Sequence, residues 1–390
     1  MQEDLYLEKL HRFDDIRPFS PDELPQVYDR LIADSQFKKV IAAIMPEMTF
    51  EQFAERMKAC RTNLDFQKAF CYSFLEKLLA KASTGCTIDA ENVDTKRRYT
   101  FVSNHRDIVL DSALLDKLLI DAGFDTTCEI AIGDNLLSLP WVKDLVRVNK
   151  SFIVERSLLP KEMLIASQKL SDYMHFVISE KNDNVWIAQR EGRAKDSDDR
   201  TQPSMLKMMA MGGEGTVVER LRQLHIVPLA ISYEYDPCDI LKAKEFQLKR
   251  DNPAWKKTAQ DDVENMQTGI MGYKGRIHYH CAPCIDAWLE TLDPKMPKKE
   301  FFETVAAHID KEIHRNYRIF KSNFIAADLL RDEERFIAHY SPEERSAFLH
   351  GYINPRIEQI QLPQKDESFL RERMLTMYAN PLLNQLKATE

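Results

Sequence analysis

The stretch Phe101-Val-Ser-Asn-His-Arg-Asp-Ile-Val-Leu-Asp111 joins a short run of strand formers to a segment with helical periodicity. The periodic segment covers residues 108–122 and ends at Gly123, and Asp107 suits its N-cap. His105 therefore lies in a predicted strand-to-helix turn. Functional side chains gather at such strand ends, because the loops there are free to present them.

Asp111 shares a face of this predicted helix with its apolar residues. An unpaired buried carboxylate costs several kcal/mol, so Asp111 needs a partner, and the nearest candidate is the imidazole of His105. Such a pair fixes the tautomer and leaves the second ring nitrogen free to accept a proton. The pattern thus predicts His105 as a general base oriented by Asp111. The same residues also fit a structural histidine and a helix-capping aspartate, and Asp107 competes for the histidine.

Between about residues 96 and 290, apolar strand-like runs alternate with helical segments. The predicted strands are Tyr99–Ser103, Cys128–Ile132, Phe152–Val154, Val185–Gln189, Ile226–Ser232 and Arg276–His280. This alternation predicts an α/β layered domain with a mixed, largely parallel sheet.

The two ends of the chain have helical patterns instead. Capping boxes occur at Ser20–Glu23, Thr49–Gln52 and Ser341–Glu344. We predict a helical N-terminal domain over residues 1–95, with Thr84–Asp94 as its exit. The α/β domain then spans 96–330, and a helical C-terminal extension spans 331–390.

Bulk composition limits the possible functions. The 390 residues are 44% hydrophobic, which supports a substantial core, and the net charge of −8 argues against broad nucleic-acid binding. Seven cysteines, an odd number, fit a reducing compartment better than a disulfide framework. No run approaches the roughly 18 apolar residues of a transmembrane helix, and the acidic start Met1–Asp4 lacks the features of a signal peptide. We therefore expect a cytoplasmic protein.

Local basic clusters lie near Trp255 and Trp288. The basic groups of the chain are Lys96–Arg98, Lys249–Arg250, Lys256–Lys257 and Lys295 with Lys298–Lys299. Basic residues beside aromatic ones suit an anionic membrane surface, where each contributes about 1 kcal/mol. They predict a peripheral membrane contact, and they fit an ordinary solvated face equally well.

Four segments resemble, in order, the conserved blocks of the glycerolipid acyltransferase superfamily. His105 and Asp111 resemble block I, although five residues separate them here and four in the family. The remaining blocks match Ala131–Leu136 with Phe152–Arg156 (II), Glu191–Lys195 with Thr201–Pro203 (III), and Ile226–Glu234 (IV). The resemblance implies transfer of a fatty acyl group from acyl-CoA or acyl-carrier protein. It implies glycerol 3-phosphate or 1-acylglycerol 3-phosphate as acceptor, phospholipid biosynthesis as the process, and no metal or cofactor.

Acyl transfer needs a general base, groups that bind the acceptor and hydrogen-bond donors that stabilise the oxyanion. No serine or cysteine lies beside His105 in a nucleophile-elbow context, so direct attack by the acceptor is expected. Arg156, Arg193 and Lys195 follow predicted strands and can share a rim with His105, where guanidinium groups match phosphate oxygens.

The resemblance assigns glycerol-phosphate binding to blocks II and III, matched here by Arg156, Glu191, Gly192 and Arg193. It makes Pro228 of block IV a packing element beside the substrate, whereas proline in a strand pattern by itself indicates an edge or a bulge. Ala194 stands where the family often has serine or threonine. A structural salt bridge between Arg156 and Glu191 is the alternative reading.

Two other functions stay open. In the first, the enzyme acylates a different hydroxylated lipid, such as a lyso-amino-lipid. In the second, the protein is a non-catalytic module that binds a metal through His278–Cys284, which contains four soft ligands. Strand alternation puts His278 and His280 on one face and Cys281 on the other, which opposes shared coordination.

Overall fold

A computed structural model describes residues 2–137, 139–156 and 158–390. Within these residues, seven strands form one sheet. They are β1 Gly85–Asp89, β2 Thr100–Ser103, β3 Cys128–Gly133, β4 Ser151–Val154, β5 Asn184–Ala188, β6 Ile226–Tyr233 and β7 Arg276–Cys281.

The spatial order of the strands is β1-β7-β6-β2-β5-β3-β4. All neighbouring pairs are parallel except β6 and β7, which are antiparallel. Consequently β6, β2, β5, β3 and β4 run in one direction, and their carboxyl ends share one edge of the sheet. The predicted fold class, a mixed and largely parallel sheet with helices, is confirmed.

The six predicted strands agree with observed strands to within one residue at each end. The sequence did not predict β1, because Thr84–Asp94 was interpreted as the exit from the helical N-terminal domain. β1 is an edge strand paired on one side only, with β7. Its residues are exposed or half-buried, so the sequence there has no apolar run and no clean alternation.

The N-terminal region is helical. Its helices are α1 Gln2–His11, α2 Leu24–Ala33, α3 Ser35–Ile44, α4 Phe50–Ala59, α5 Asn63–Phe66 and α6 Ser73–Ala82, with a π-helical segment Gln67–Tyr72 between the last two. The capping box Thr49–Gln52 is present at the start of α4. Aromatic side chains such as Phe37, Phe53 and Phe70 form the core of this region and pack against Val148.

Helices cover both faces of the sheet. These are α7 Leu110–Asp121, α8 Pro140–Val148, α9 Pro160–Phe176, α10 Pro203–Met209, α11 Val217–Arg222, α12 Asp239–Asp251, α13 Ala259–Met271, α14 Asp286–Leu289 and α15 Lys298–Arg315. Alternating strand residues supply two cores. Phe101 and Trp186 point into one with α7, while Val102 and Phe152 point into the other with α9 and α15.

The C-terminal region is helical as well. It contains α16 Lys321–Arg331, α17 Pro342–Ser346, α18 Asn354–Glu358 and α19 Glu367–Thr389, with α17 starting at the predicted capping box of Ser341 and Glu344. α19 packs along α16 and also contacts α12 and α15. Among the described residues, we find no helix with both the length and the apolar character to cross a bilayer.

Candidate active site

His105 and Asp111 are in direct contact at the carboxyl end of β2. Nδ1 of His105 lies 2.8 Å from Oδ2 of Asp111. The same oxygen accepts the backbone N–H groups of Arg106, at 2.6 Å, and Asp107, at 3.0 Å. The Asp111 side chain is fully buried. The carboxylate thus folds back over the turn, so the contact forms despite five intervening residues.

Asp107 has a different task, which resolves the competition that the sequence left open. Its Oδ1 accepts the N–H groups of Val109 and Leu110, at 2.9 and 2.8 Å, and so caps the start of α7. Burial, followed by the nearby charge of Asp111, raises the pKa of Asp107 above its ordinary value. The partner of His105 in this structure is therefore Asp111.

The imidazole is held from two further directions. The ring of His105 meets the ring of Trp186 edge to face, with centroids 5.8 Å apart, and the Trp186 indole N–H donates to Ser103 Oγ at 3.1 Å. The Tyr279 hydroxyl donates to the backbone carbonyl of Asp111 at 2.9 Å. Within the described residues, Nε2 of His105 has no protein partner, and 13% of the side chain is exposed. One nitrogen is fixed, and the other is available for proton transfer.

Arg156 and Glu191 lie at the same edge of the sheet, after β4 and β5. Nη1 of Arg156 is 3.7 Å from Oε1 of Glu191, and the side chains are 34% and 68% exposed. The Arg156 guanidinium lies over Gly133, where a β-carbon would be 2.7 Å from Nε. This long, solvent-exposed ion pair is weak. Arg156 is therefore able to exchange Glu191 for an anionic ligand.

Arg193 is buried and only partly satisfied. Its Nη2 donates to Oδ1 of Asn265 on α13 at 2.8 Å, whereas Nη1 is buried with no hydrogen-bond partner among the described residues. The charge of Arg193 also acts on the carboxylate of Asp107, beside the base, and partly opposes the rise in its pKa that burial causes. A buried guanidinium with a spare donor is the kind of group that binds phosphate oxygens.

The remaining block III residues have structural contacts. Nζ of Lys195 lies 2.7 Å from Oε1 of Glu245 on α12, and burial lowers the Lys195 pKa while Glu245 raises it. Gly192 has a positive φ of 67°, a conformation that favours glycine. Ala194 is buried. Lys195 is thus already paired with a carboxylate, whereas Arg156 and Arg193 keep guanidinium donors for a further ligand.

Pro228 lies inside the sheet. It is buried in β6, which has neighbours on both sides, and it is aligned with Val102 of β2. The prediction of an edge or a bulge is wrong. β7 ends its ladder at Cys281, and the carbonyl of Pro228 accepts the N–H of Ala282 at 2.9 Å. The missing N–H of Pro228 therefore lies on the β7 side, just beyond the last residue pair of the β6–β7 ladder, Leu229 with Cys281.

Arg106 supports the turn from inside, and the sequence did not single it out. Its guanidinium lies 2.8 Å from Oδ2 of buried Asp199 and over the ring of Tyr317. Its backbone carbonyl accepts a hydrogen bond from Nζ of Lys242 at 3.1 Å, and Lys242 also contacts Asp236. These partners are distant in sequence. The one local signal for them is the charge of Arg106 itself, next to His105.

The predicted metal ligands of β7 do not converge. His278 Nδ1 lies 2.9 Å from Oγ1 of Thr87, and His280 Nδ1 lies 3.1 Å from Oδ2 of Asp89. Cys281 is fully buried on the opposite face. The alternation predicted for this strand is present, and it separates the histidines from Cys281.

Among the described residues, one other group has the spacing of metal ligands: His225, Cys284 and Asp286. His225 Nδ1 and Asp286 Oδ2 are paired at 2.6 Å. Arg97 lies 3.3 Å from the same ring nitrogen and 4.0 Å from that carboxylate. A cation at this position would meet the guanidinium, so the arrangement fits an internal ion pair better than a metal centre.

The comparison with protein families agrees with the sequence blocks. The Acyltransferase family model matches residues 86–232. One solved structure that resembles the chain is the 1-acyl-sn-glycerophosphate (LPA) acyltransferase PlsC from Thermotoga maritima. That match has 12% identity and a TM-score of 0.34, and it covers 75% of this chain and 97% of that chain. No curated protein matches the chain. Residues 86–232, which include His105, Asp111, Arg156 and Arg193, therefore form a domain of the acyltransferase family.

Proposed function

We propose that this protein transfers a fatty acyl group from acyl-CoA or acyl-carrier protein to a hydroxyl of glycerol 3-phosphate or 1-acylglycerol 3-phosphate. It would act in phospholipid biosynthesis, at the periphery of a membrane in the cytoplasm. The observation that carries the proposal is the contact between His105 Nδ1 and the buried Asp111 carboxylate, at 2.8 Å, on a turn at the carboxyl edge of the sheet.

The chemistry follows from this contact. Nε2 of His105 accepts the proton of the acceptor hydroxyl while the oxygen attacks the thioester carbonyl. The buried Asp111 carboxylate stabilises the imidazolium that forms. Collapse of the tetrahedral intermediate breaks the C–S bond, and the imidazolium returns its proton to the leaving thiolate. The products are the ester and the free thiol, and the steps use only side chains and the two substrates.

Direct attack is favoured because the nearby hydroxyl groups have other contacts. Ser103 Oγ accepts the Trp186 indole N–H at 3.1 Å, and Ser112 Oγ donates to the Val109 carbonyl at 3.5 Å. Neither contact is with His105, so neither hydroxyl is activated for formation of an acyl-enzyme.

The acceptor phosphate would bind Arg156 and Arg193. Among the described residues, Arg193 has a buried donor with no hydrogen-bond partner, and the one carboxylate paired with Arg156 is that of Glu191, at 3.7 Å. A phosphate between these two guanidinium groups would complete the hydrogen bonding of Arg193 and place the glycerol hydroxyl near His105.

One observation favours a second acceptor class. Glu191 is 68% exposed at the same rim, and its carboxylate would pair with an ammonium group. A lyso-amino-lipid that carries both charges would engage Arg156 and Glu191 together.

A thioester-release assay tests the proposal and separates the two acceptors. Purified protein is given an acyl-CoA or acyl-carrier protein together with glycerol 3-phosphate, lysophosphatidate or a lyso-amino-lipid, and free thiol is measured. Faster release with a phosphate acceptor is expected. Release that no acceptor accelerates, with either donor, would contradict the proposed function.

A further inference from the structure

The first turns of α9 expose apolar side chains to solvent. Every residue from Leu159 to Ile165 is exposed. Leu159, Met163, Leu164 and Ile165 keep 68%, 38%, 64% and 70% of their surface in contact with solvent. We name residues Leu159–Ile165 the apolar tip.

The rest of α9 anchors the tip rigidly. Leu170, Tyr173 and Met174 lie in the core that α9 shares with the sheet, and each is at most 7% exposed. At the tip's own start, the N–H of Leu159 donates to Oε2 of Glu162 at 3.0 Å, which caps the helix. The tip is therefore the ordered start of a helix that is anchored in the core.

The density of exposed apolar side chains at the tip is unusual for this molecule. Elsewhere in the described residues, large exposed apolar side chains occur singly or in pairs, as with Ile337 or with Val40 and Ile44. Single exposed apolar residues are normal on a protein surface, whereas a contiguous group marks an interaction site.

The tip begins at the same edge of the sheet as the candidate active site. α9 follows β4, and Arg156 stands between the carboxyl end of that strand and Leu159. β4 is three strand positions from β2, which ends at His105, so the two strands are roughly 14 Å apart. Leu139, at the start of α8, is 40% exposed and follows the carboxyl end of β3 at the same edge.

We propose that the apolar tip inserts into the hydrocarbon boundary of a lipid bilayer and presents the carboxyl edge of the sheet to lipid substrates. This inference rests on the proposed function, because a lipid acceptor or product must pass between a membrane and that edge. Burial of the four apolar side chains in lipid supplies the binding free energy.

The charges around the tip indicate a contact that depends little on anionic lipid. Residues 155–165 contain Glu155 and Glu162 against Arg156 and Lys161, so their formal charges cancel. The basic clusters near the tryptophans are largely paired with carboxylates: Lys249 with Glu245, Arg250 with Asp366, Lys257 with Asp262 and Lys299 with Glu303. Trp288 stacks on His308 at 3.6 Å and is not free to enter a bilayer.

The test compares Leu164→Asp/Ile165→Asp with Ile337→Asp in the full-length chain. Ile337 is 50% exposed in the C-terminal region and serves as the matched control. Co-sedimentation uses vesicles of phosphatidylcholine alone and with one-quarter phosphatidylglycerol. Thiol release is measured with glycerol 3-phosphate, which is soluble, and with vesicle-bound lysophosphatidate.

The double variant is expected to bind both kinds of vesicle at least about tenfold more weakly, while the control binds like the wild type. Its activity should fall with vesicle-bound acceptor and stay unchanged with glycerol 3-phosphate. Undiminished vesicle binding by the double variant would overturn the inference. Binding of the double variant that anionic lipid restores would overturn it as well. So would a wild-type dimer that dissociates in the variant, since the tip would then bind another copy of the chain. A wild type that releases no thiol with any acceptor would instead refute the proposed function.

Discussion

Gly269 of α13 packs directly against the carboxylate of Asp107, the residue that caps α7 beside His105. A β-carbon on residue 269 would overlap Oδ2 of Asp107. One turn earlier on the same helix, Asn265 accepts a hydrogen bond from Arg193 at 2.8 Å. α13 therefore braces both the turn that carries the proposed base and an arginine proposed to bind the acceptor phosphate.

This packing predicts that Gly269→Ala damages both stability and activity. The added methyl group has to displace Asp107, because the obstacle is a short side chain that already binds two backbone N–H groups. Overpacking of this kind costs about 1–3 kcal/mol. Urea unfolding and thiol release would measure the two effects.

Gly351→Ala is the matched control, since a β-carbon there meets nothing within 4 Å. It is expected to leave activity unchanged and to stabilise the protein by a few tenths of a kcal/mol up to about 1 kcal/mol. Equal behaviour of the two variants would show that α13 does not hold the turn.

His105→Ala should lower the rate of acyl transfer by about 10²–10⁴, because a general base contributes that much. The imidazole is partly exposed and its removal leaves the Asp111 carboxylate bound to two backbone N–H groups, so the fold should persist. The measurements are thiol release and a circular dichroism melt. A folded variant with wild-type turnover would refute the role of His105.

The sequence predicted the sheet and the His105–Asp111 contact because both depend on local patterns. A run of strand formers and an apolar helical face are readable within about 20 residues. β1 was not predicted because an edge strand needs no continuous apolar sequence. Pro228 was misinterpreted because the position at which β7 ends beside it depends on tertiary structure. The pairing of Arg106 with Asp199 and the packing of Gly269 on Asp107 join segments far apart in the chain, so no local pattern indicates them.

Asp111→Asn is expected to cost more activity than Asp107→Asn. An amide at position 111 keeps an oxygen for the backbone N–H groups but loses the charge that stabilises the imidazolium. Asparagine at position 107 still caps α7. The turnover numbers of the two variants, compared at equal helix content, show which substitution costs more activity. A larger loss from Asp107→Asn would make Asp107 the functional partner of His105.

Arg156→Ala should raise the KM for phosphate-bearing acceptors and change turnover of a phosphate-free acceptor little. The reason is that, within the described part of the chain, the Arg156 side chain contacts Glu191 and the segment around Gly133 and not His105, so its removal spares the base. Loss of a charge-assisted contact corresponds to about 1.5–3 kcal/mol, or roughly 10- to 150-fold in KM. Steady-state kinetics with both acceptor types provides the measurement. An equal loss of activity with both acceptor types would mean that the role of Arg156 is structural.

Asp116 on α7 predicts an unusual dependence of stability on pH. Burial raises the pKa of Asp116 to about 7, despite hydrogen bonds from the Cys128 N–H at 2.8 Å and from Gln67 at 3.1 Å. The folded protein then holds a proton that the unfolded chain, with the ordinary pKa of 3.8, has released. Asp116 therefore makes the free energy of unfolding fall by about 1.4 kcal/mol for each pH unit between about 5 and 6.5.

Asp116→Asn should remove this contribution to the slope. The free energy of unfolding of the variant minus that of the wild type should therefore be larger above pH 7 than at pH 5. Urea unfolding at pH 5, 6, 7 and 8 measures it. Asp310, whose pKa burial raises to about 6, contributes to both proteins, so the difference between the two curves isolates Asp116. Asp121→Asn, an exposed change at the end of the same helix, is the control and should keep the wild-type slope. Parallel curves for wild type and Asp116→Asn would mean that Asp116 is ionised in the folded protein at pH 5, with its charge compensated by the two hydrogen bonds.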